Sequence, residues 1–292
     1  MRIGTERRKN REQLKHARVA VLGAARSGVA VARLLAESGA AVLLSDTRPE
    51  SELNLPLADL RQLSVEVESG GHSEAVLQAD LICISPGIPL SIPILQKAQE
   101  RNITITGEIE VASWFCRSEI AAITGSNGKT TTTTLAGEIL CAKYSDTIVA
   151  GNIGKPFAEL VQHSSESGVA VLELSSFQLE TIYSFRPRIA VLMNLTANHL
   201  DRYPDFEAYA AAKLNILKNM RADDLLIYNS DDEVLNRRLE DSLPRKLRFS
   251  LAPHAGEGAY WEDDAIVLRQ NGEEKRIHLQ DYRLRGPHNR YN

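Results

Sequence analysis

Cysteine is scarce in this chain, with three residues among 292. Cys83, Cys116 and Cys141 are far apart and show no C-x-x-C spacing, so neither a disulfide framework nor a zinc site is predicted. Long apolar runs are lacking too: no stretch of 18 apolar residues occurs, which excludes a transmembrane helix. The basic N-terminal segment lacks the apolar core of a secretory signal. These absences predict reduced thiols and a cytoplasmic protein without membrane insertion.

A strong excess of either charge is also lacking. The formal net charge is −4, which gives no general attraction to nucleic acid or to anionic membranes. With 43% hydrophobic and 25% charged residues the composition is that of a soluble globular protein, and 292 residues favour two domains. We predict a basic, solvated or frayed tail at residues 1–17, a first domain at 18–107 and a second domain at 108–292.

Short apolar strands alternate with helical segments through both predicted domains. The first domain opens with a buried strand, Arg18–Leu22, followed by a glycine loop and an apolar-periodic helix through Ser38. The fold class predicted is α/β, with a Rossmann-like doubly wound domain followed by a P-loop ATPase-type α/β domain with a β-rich tail at 248–284. In the second domain, strands are predicted at 119–124, 147–150, 169–174, 189–194 and 225–229, and a helix at 209–220.

The most informative segment is Thr124-Gly-Ser-Asn-Gly-Lys-Thr-Thr131, between a predicted strand and a predicted helix. Its glycines let successive amides point into one concavity that suits phosphate oxygens, and the following helix adds the positive end of its dipole. Lys129 would reach the β- and γ-phosphates of ATP, and the Thr130 hydroxyl would bind Mg²⁺. Ile123 departs from the usual G-x-x-x-x-G-K-[ST] pattern, and an ordinary strand–turn–helix connection is the alternative. The predicted ATP-binding residues here are Gly125, Ser126, Asn127, Gly128, Lys129, Thr130, Thr131 and Thr132.

A second glycine-bounded loop, Gly23-Ala-Ala-Arg-Ser-Gly28, follows the first strand. With Asp46 after the next strand it approaches the dinucleotide fingerprint, but Ala25 replaces the second glycine, which weakens an NAD(P) interpretation. In a doubly wound domain such residues face one crevice, where a carboxylate accepts from an imide or ribose and an arginine balances a diphosphate. Solvent exposure is the alternative for the two arginines. The residues predicted to face this crevice are Arg26, Ser27, Asp46, Thr47, Arg48, Ser85 and Gly87.

Polar residues also follow the predicted strands of the second domain, among them Asn152, Glu173 and His199. Because a buried unpaired carboxylate is costly, Glu173 is expected to meet a cation, and Mg²⁺ shared with Thr130 and phosphate oxygens is the simplest solution. A hydrogen-bonding loop residue is the alternative for His199. Lys213 would be a surface lysine from the sequence alone. Deprotonated and carbamylated by CO₂, it would instead offer the metal an anionic oxygen.

Several motifs together resemble one family. They stand in a single order: the Thr124–Thr131 loop, Gly151-Asn-Ile-Gly154, Leu172-Glu-Leu-Ser-Ser-Phe-Gln-Leu-Glu180, Asn198-His-Leu-Asp-Arg-Tyr203 and Gly286-Pro-His-Asn-Arg-Tyr-Asn292. As a set, from about Val19 to the last residue, they resemble the Mur ligases of peptidoglycan synthesis. Ser175-Ser-Phe-Gln178 and Ser85-Pro-Gly-Ile88 most resemble the members that add D-glutamate to UDP-N-acetylmuramoyl-L-alanine.

The resemblance implies ATP-dependent amide formation through an acyl phosphate, with ATP, D-glutamate and UDP-N-acetylmuramoyl-L-alanine as partners. We further predict a monomer, and the net charge predicts no nucleic-acid partner. The first domain would bind the UDP-sugar, with Asp46, Thr47 and Arg48 at the uracil and ribose. The implied catalytic residues are Lys129, Asn152, Glu173, His199 and Lys213, and the implied metal ligands are Thr130, Glu173, His199 and carbamylated Lys213. Further contacts with the UDP-sugar are implied for Asn152, Ser175 and Gln178. Asn289 and Asn292 would lie beside the adenine of ATP.

Two departures from the family pattern alter these expectations. Asn198 stands where relatives often carry Asp, so the hydrogen bonding around His199 would differ. The family also has a third, C-terminal domain that closes over ATP and positions the amino acid, whereas this chain stops at Asn292. We therefore expect a two-domain form without turnover. The alternatives are a sibling Mur ligase, a folylpolyglutamate-type synthetase that shares the ATP loop, and a non-catalytic nucleotide-sugar binding module.

Overall fold

The computed structural model describes residues 2–53, 57–196, 202–279 and 286–292. It divides into two compact units that are not consecutive stretches of chain. The first unit comprises Met1–Ser118, Ala150–Gly168 and Phe177–Phe185, and the second comprises Glu119–Val149, Val169–Ser176 and Arg186–Asn292. The domain boundary expected after residue 107 stays a prediction. Within the ranges described, no helix combines the length and the apolar character needed to cross a membrane.

Ten α-helices occur in the described residues. In the helix at Arg26–Glu37 apolar residues recur at helical spacing, so that one face is buried, as with Val31, Leu34 and Leu35. The helices are α1 (Arg2–Gln13), α2 (Arg26–Glu37), α3 (Leu57–Gln62), α4 (Pro93–Glu100), α5 (Glu108–Phe115), α6 (Lys129–Cys141), α7 (Phe157–Leu160), α8 (Ser176–Leu179), α9 (Phe206–Leu214) and α10 (Glu233–Leu239).

The first unit contains a sheet of five parallel strands. They are β1 (Arg18–Leu22), β2 (Ala41–Asp46), β3 (Glu66–Ser69), β4 (Leu81–Ile84) and β5 (Thr104–Gly107). Their order is β3-β2-β1-β4-β5. The order reverses between β1 and β4, which is the switch point where doubly wound folds open a crevice at the strand carboxyl ends. Ala20, Leu22 and Ile82 from the strands pack with Leu95 of α4 in the core.

The second unit contains a sheet of nine strands, ordered β14-β13-β12-β11-β10-β9-β6-β8-β7. Its strands are β6 (Glu119–Thr124), β7 (Ile148–Gly151), β8 (Val169–Glu173), β9 (Ile189–Leu192), β10 (Leu225–Asn229), β11 (Arg245–Ser250), β12 (Gly258–Glu262), β13 (Ala265–Gln270) and β14 (Glu273–His278). Strands β6 and β8 to β12 pair in parallel, whereas β12, β13 and β14 form antiparallel hairpins. The predicted α/β class and the β-rich tail are confirmed.

The segment predicted as a basic, solvated or frayed tail is helical in its described part, and several of its side chains are exposed. Residues 2–13 form α1, and Leu14 is buried. The Arg7 guanidinium donates to the carbonyl oxygens of Cys116, at 3.0 Å, and Ser118, at 3.3 Å. The Asn10 amide donates to the Ser184 hydroxyl at 3.0 Å. A basic run suggests solvation, but arginine also satisfies carbonyl groups left over after a helix end, as here after α5.

Candidate functional site

The loop between β6 and α6 is held in shape by the protein itself. Gly128 adopts a φ of +83°, a left-handed conformation that favours glycine. The Asn194 amide clamps Asn127, because its oxygen accepts from the Asn127 N–H at 2.8 Å and its nitrogen donates to the Asn127 carbonyl at 3.1 Å. A side chain at Gly125 would come within 2.8 Å of the Met193 Cβ. The protein itself therefore holds the loop in this shape.

Ser126 faces inward from this loop. Its hydroxyl donates to the Thr196 carbonyl at 2.9 Å and shares a hydrogen bond with the Tyr209 hydroxyl at 3.0 Å. The Thr196 N–H donates back to the same oxygen at 3.0 Å. The Ser126 side chain therefore fixes the loop from beneath, and its backbone N–H donates to the Asn194 carbonyl at 3.0 Å. Asn194, Thr196 and Tyr209 were not identified as site residues from the sequence.

Three side chains that carry chemistry converge beside the loop. Thr130, on the first turn of α6, donates from its hydroxyl to Glu173 Oε2 at 2.9 Å. Glu173 ends β8 and is 2% exposed. Lys129 donates to the Ser126 carbonyl at 3.0 Å, and burial lowers its pKa although Glu173 opposes the shift. A cation, a hydroxyl and a buried carboxylate thus share one place at the carboxyl end of the sheet.

Thr130 and Glu173 fit the donor set that Mg²⁺ prefers. Two neighbouring ligands of octahedral Mg²⁺ lie about 3 Å apart when each is about 2.1 Å from the ion. The 2.9 Å between the Thr130 and Glu173 oxygens matches that spacing. No group of three or more His, Cys, Asp or Glu side chains able to hold a metal occurs in the part of the chain that the structure describes. His199, with Asn198 beside it, lies outside the described residues.

Lys213 is buried rather than on the surface. It lies on α9, whose first turn is capped by Asp205, and it is 2% exposed. Its ammonium lies 4.9 Å from the centre of the Tyr209 ring, a cation–π contact. Burial and then the charge of Lys129 lower the pKa of Lys213 to about 7, with Glu173 acting in the opposite direction. Part of this lysine is therefore the neutral amine near pH 7. Its carbamylation stays a prediction.

The last residues of the chain approach the same loop. The Thr132 hydroxyl donates to Asn292 Oδ1 at 3.2 Å, and the Asn292 amide donates to Asn289 Oδ1 at 2.8 Å. A side chain at Gly128 would collide with Asn292. The two asparagines expected beside the adenine are thus linked to each other and to α6. Thr131, half-buried on the first turn of α6, completes the predicted set.

In the first unit, Asp46 organises the predicted nucleotide crevice. Its carboxylate accepts from the Ala24 N–H at 2.7 Å and from the Arg48 N–H at 2.9 Å. The Arg48 guanidinium adds a fork of two bonds, Nε to Oδ1 at 3.0 Å and Nη2 to Oδ2 at 2.9 Å. These contacts, chiefly the one from the Arg48 side chain, hold the pKa of Asp46 well below its usual range. The carboxylate thus fixes the loop after β1 to the end of β2.

Asp46, Thr47, Arg48 and Gly87 line one cleft of about 610 Å³, with apolar walls that include Ile88 and Pro89. Four residues predicted for the UDP-sugar are therefore brought together. Two of the remaining predicted residues lie elsewhere on the same loops. Arg26 lines an adjoining cavity of about 760 Å³ along α2, which Arg48 also lines, and Ser85 donates to the Gly23 carbonyl at 3.0 Å. Ser27 lies on the first turn of α2.

His72 is a lining residue of the 610 Å³ cleft that sequence reasoning missed. Its Nδ1 lies 2.7 Å from the Ser45 hydroxyl, which also donates to Glu68 Oε2 at 2.6 Å. Burial lowers the pKa of His72, with Glu68 opposing the shift. No local motif marks this histidine, because it reaches the cleft from the turn after β3.

Three further predicted contacts of the UDP-sugar lie on other segments. Asn152 is exposed on the turn that follows β7, in the first unit, and Gln178 is buried in α8 of that unit. Ser175 belongs to the second unit, just after β8, and is half-buried. Their roles toward a ligand stay predictions.

Two family models match this chain. Residues 17–107 match the Mur ligase MurD-like N-terminal domain, and residues 123–292 match the Mur ligase middle domain. The chain belongs to the Mur ligase family. This membership confirms the resemblance seen in the motifs and the α/β class of both sheets.

Curated relatives of this Mur ligase carry one name. UDP-N-acetylmuramoylalanine–D-glutamate ligase from Chloroherpeton thalassium is 43% identical over 96% of this chain and 64% of that protein. Those from Salinibacter ruber and Trichlorobacter lovleyi are 43% and 42% identical, covering 96% and 95% of this chain and 63% and 62% of theirs. The chain thus spans less than two thirds of the length of these relatives.

Solved structures share the fold at lower identity. The UDP-N-acetylmuramate:L-alanyl-gamma-D-glutamyl-meso-diaminopimelate ligase from Neisseria meningitides is 18% identical with a TM-score of 0.60, over 94% of this chain and 90% of that one. A murein peptide ligase from Psychrobacter arcticus is 20% identical with a TM-score of 0.58, over 94% of this chain and 63% of that one. These two structures support the fold of the chain and no finer property.

Proposed function

We propose that this chain supplies the UDP-sugar-binding and ATP-binding parts of a ligase that adds D-glutamate to UDP-N-acetylmuramoyl-L-alanine in peptidoglycan synthesis. The single observation that carries the ATP half is the 2.9 Å contact of Thr130 with buried Glu173, beside Lys129 on a preformed glycine loop. The name shared by relatives at 42–43% identity supports the choice of D-glutamate among Mur ligase reactions.

The reaction proposed is amide formation in two steps. The L-alanyl carboxylate of the UDP-sugar attacks the γ-phosphorus of ATP, which gives an acyl phosphate and releases ADP. The amine of D-glutamate then attacks the acyl carbon, loses a proton and expels inorganic phosphate. Because the first step brings two anions together, a cation must lie where they meet. Lys129 is the residue of the loop placed to screen this repulsion and to stabilise charge on the transferred phosphoryl group.

Thr130 and Glu173 would hold Mg²⁺ here, with Lys213 as a third ligand in its carbamylated form. When bound, the ion would neutralise charge on the β- and γ-phosphates. The burial of Lys213 supports the carbamate, since an ammonium would repel both the metal and Lys129. NMR of the protein in ¹³C-labelled bicarbonate should give a carbamate signal that is missing from the Lys213→Ala variant. A spectrum common to both proteins would contradict the modification.

Calorimetry on the 292-residue chain tests the two binding functions separately. We expect saturable binding of ATP with Mg²⁺, and of UDP-N-acetylmuramoyl-L-alanine. UDP-N-acetylmuramate, the nucleotide sugar named for the Neisseria protein, should bind at least roughly tenfold more weakly, because it leaves the groups meant for the L-alanyl part unpaired. Equal affinity for the two sugars would favour a sibling ligase, and the absence of binding to either sugar and to ATP would overturn the proposal.

Turnover on the same sample separates catalysis from binding. We expect no release of phosphate from ATP when the UDP-sugar and D-glutamate are added to residues 1–292 alone. Phosphate release that requires D-glutamate, and not L-glutamate, would establish the ligase reaction and overturn the expectation that this chain does not turn over. Release that requires a different amino acid would assign the chain to a sibling reaction.

A further inference from the structure

Glu108 is a buried carboxyl group outside the residues assigned to either site. It is the first residue of α5, directly after β5, and it is 2% exposed. Its Oε1 accepts from the Ala158 N–H at 2.6 Å. Its Oε2 is buried and has no hydrogen-bond partner among the described residues. One oxygen of this carboxyl group therefore accepts a hydrogen bond, and the other has no partner among the described residues.

The hydrogen bond to Glu108 Oε1 holds the start of α7. Helix α7 has only four residues, and Pro156 at its N-cap provides no side-chain hydrogen bond. The first amides of a helix need an acceptor, and a carboxylate is the strongest that a side chain offers. Glu108 supplies it from a different element, α5. This contact fixes where α7 begins relative to the end of β5 within the first unit.

The turn that leads into α7 is the one that carries Asn152. It closes on itself through the Gly151 N–H, which donates to the Lys155 carbonyl at 3.3 Å. Arg26, from the first turn of α2, donates to the Gly154 carbonyl at 3.3 Å. The turn is thus held from α2 on one side and, through α7, from Glu108 on the other.

The unpaired oxygen of Glu108 lowers stability, because a buried polar atom without a partner is costly. Burial of the group also raises the pKa of Glu108 to about 7. An apolar side chain at this position would avoid both costs but would leave the Ala158 amide without its acceptor. The geometry of the turn is what the carboxyl group maintains.

We propose that Glu108 is a positioning residue for the UDP-sugar: by fixing the start of α7, it places the turn at residues 151–154 for contact with that ligand. The choice of ligand rests on the proposed function, whereas the link from Glu108 to the turn rests on the contacts above. Glu108 does not touch the ligand in this proposal. It acts through Asn152 and the amides of the turn.

Two variants and a matched control test the link. Glu108→Ala removes the acceptor, whereas Glu108→Gln keeps an acceptor oxygen of the same reach. The control is Glu110→Gln, because Glu110 is equally buried on the same helix but accepts from the N–H groups of Tyr183, Ser184 and Phe185 instead. Thermal unfolding of each protein establishes that it is folded before any binding is measured.

Hydrogen–deuterium exchange gives a readout that needs no ligand. In Glu108→Ala we expect the amides of residues 151–160 to exchange at least roughly tenfold faster, while those of 119–149 are unchanged, because only the first segment loses an anchor. Glu108→Gln should fall within about threefold of wild type, since one acceptor remains. Unchanged exchange at 151–160 in both variants would overturn the link. If Glu108→Ala does not fold, faster exchange at 151–160 in Glu110→Gln than in Glu108→Gln would overturn it.

Calorimetry then tests the consequence for the ligand. UDP-N-acetylmuramoyl-L-alanine should bind roughly tenfold more weakly to Glu108→Ala, with ATP affinity unchanged and with binding restored in Glu108→Gln. Equal loss of affinity for both ligands, or loss in the Glu110→Gln control alone, would overturn the positioning role. If wild type does not bind the UDP-sugar, the ligand is wrong, and the exchange result still decides whether Glu108 holds the turn.

Discussion

The two glycine loops occupy equivalent places, each between a parallel strand and a helix, but their charges are arranged differently. In the loop after β1, the carboxylate of Asp46 is matched by the guanidinium of Arg48 and by the Ala24 N–H. In the loop after β6, two lysines, Lys129 and Lys213, share the single carboxylate of Glu173, and both have a lowered pKa. Asp46 and Arg48 are thus paired directly, whereas Lys129 donates only to a backbone carbonyl.

This difference indicates that the two loops bind different kinds of ligand. A balanced, rigid loop offers shape and a few donors, which suits recognition of an uncharged base and sugar. A loop whose half-buried lysine, Lys129, donates to a carbonyl rather than to a carboxylate gains most when a highly charged anion arrives, as a triphosphate would. The comparison therefore predicts that charge removal in the second loop abolishes nucleotide binding, and that charge removal in the first loop mainly loosens the protein.

Lys129→Ala should have the largest effect. Loss of the cation should weaken binding of ATP with Mg²⁺ by at least roughly 100-fold, because a charge-assisted contact to phosphate in a partly buried site is lost. Stability should not fall, since burial already disfavours this ammonium. Calorimetry measures the affinity, with UDP-sugar binding expected to be unchanged. Lys143→Ala, an exposed lysine after α6, is the control. ATP affinity within threefold of wild type in Lys129→Ala would remove the contrast between the loops.

The sequence predicts much of this difference between the two loops, because short local patterns indicate the strands and the phosphate loop. The strands Glu119–Thr124 and Leu225–Asn229 have the bounds that the sequence predicts, since each is a short apolar run between clear breaks. The glycines and Lys129 mark the phosphate loop because the chemistry needs those residue types in that order. Local sequence therefore predicts which elements form and where the loop lies.

Contacts between residues that are distant in the chain could not be predicted in this way, because no local pattern indicates them. The alanines around Lys213 do not reveal that it is buried over Tyr209, and no motif announces that His72 reaches the first cleft. The helix predicted for 209–220 instead starts at Phe206 and ends at Leu214, followed by a 3₁₀ turn over Asn215–Leu217. Apolar periodicity continues through both, so it cannot locate the change.

Asp46→Asn, which affects the loop after β1, should have the next largest effect. The amide still accepts one hydrogen bond but loses the charge that holds Arg48. We therefore expect the free energy of unfolding to fall by about 2 kcal/mol, a loss that is limited because the Arg48 side chain is half-exposed to solvent. UDP-sugar affinity should fall about tenfold, with ATP affinity unchanged. In wild type this stability is present at neutral pH and is lost only in strong acid, because the pKa of Asp46 lies below its usual range. Urea unfolding and calorimetry measure both. A larger loss for ATP than for the UDP-sugar would break the comparison.

Glu108→Gln should change the pH dependence of stability. Burial raises the pKa of Glu108 from its ordinary 4.5 to about 7. Between these values the unfolded chain has released the proton and the folded chain retains it, so the free energy of unfolding falls as pH rises. From about pH 5.5 to about pH 7 this group contributes a fall of roughly 1.5 kcal/mol. The buried neighbour Cys83 stays protonated throughout, because its pKa is raised.

Urea unfolding of wild type and Glu108→Gln at several pH values measures that fall as a difference between two curves. The glutamine has no proton to release, so the variant should gain stability relative to wild type as pH rises. Glu74→Gln, an exposed carboxyl group of the same unit, should give a curve whose difference from wild type stays flat over this range. Parallel curves for Glu108→Gln and wild type would show that Glu108 is ionised in the folded protein at acidic pH.

Tyr209→Phe should have the smallest effect, and it sharpens the comparison within the second loop. Removing the hydroxyl leaves Ser126 bonded to Thr196, so we expect about 1 kcal/mol less stability and at most about threefold weaker ATP binding. The phenyl ring keeps its contact with Lys213. Tyr183→Phe, an exposed tyrosine of the first unit, should change neither quantity. An effect on ATP binding as large as that of Lys129→Ala would mean that the shape of this loop, rather than the charge of Lys129, governs its affinity for nucleotide.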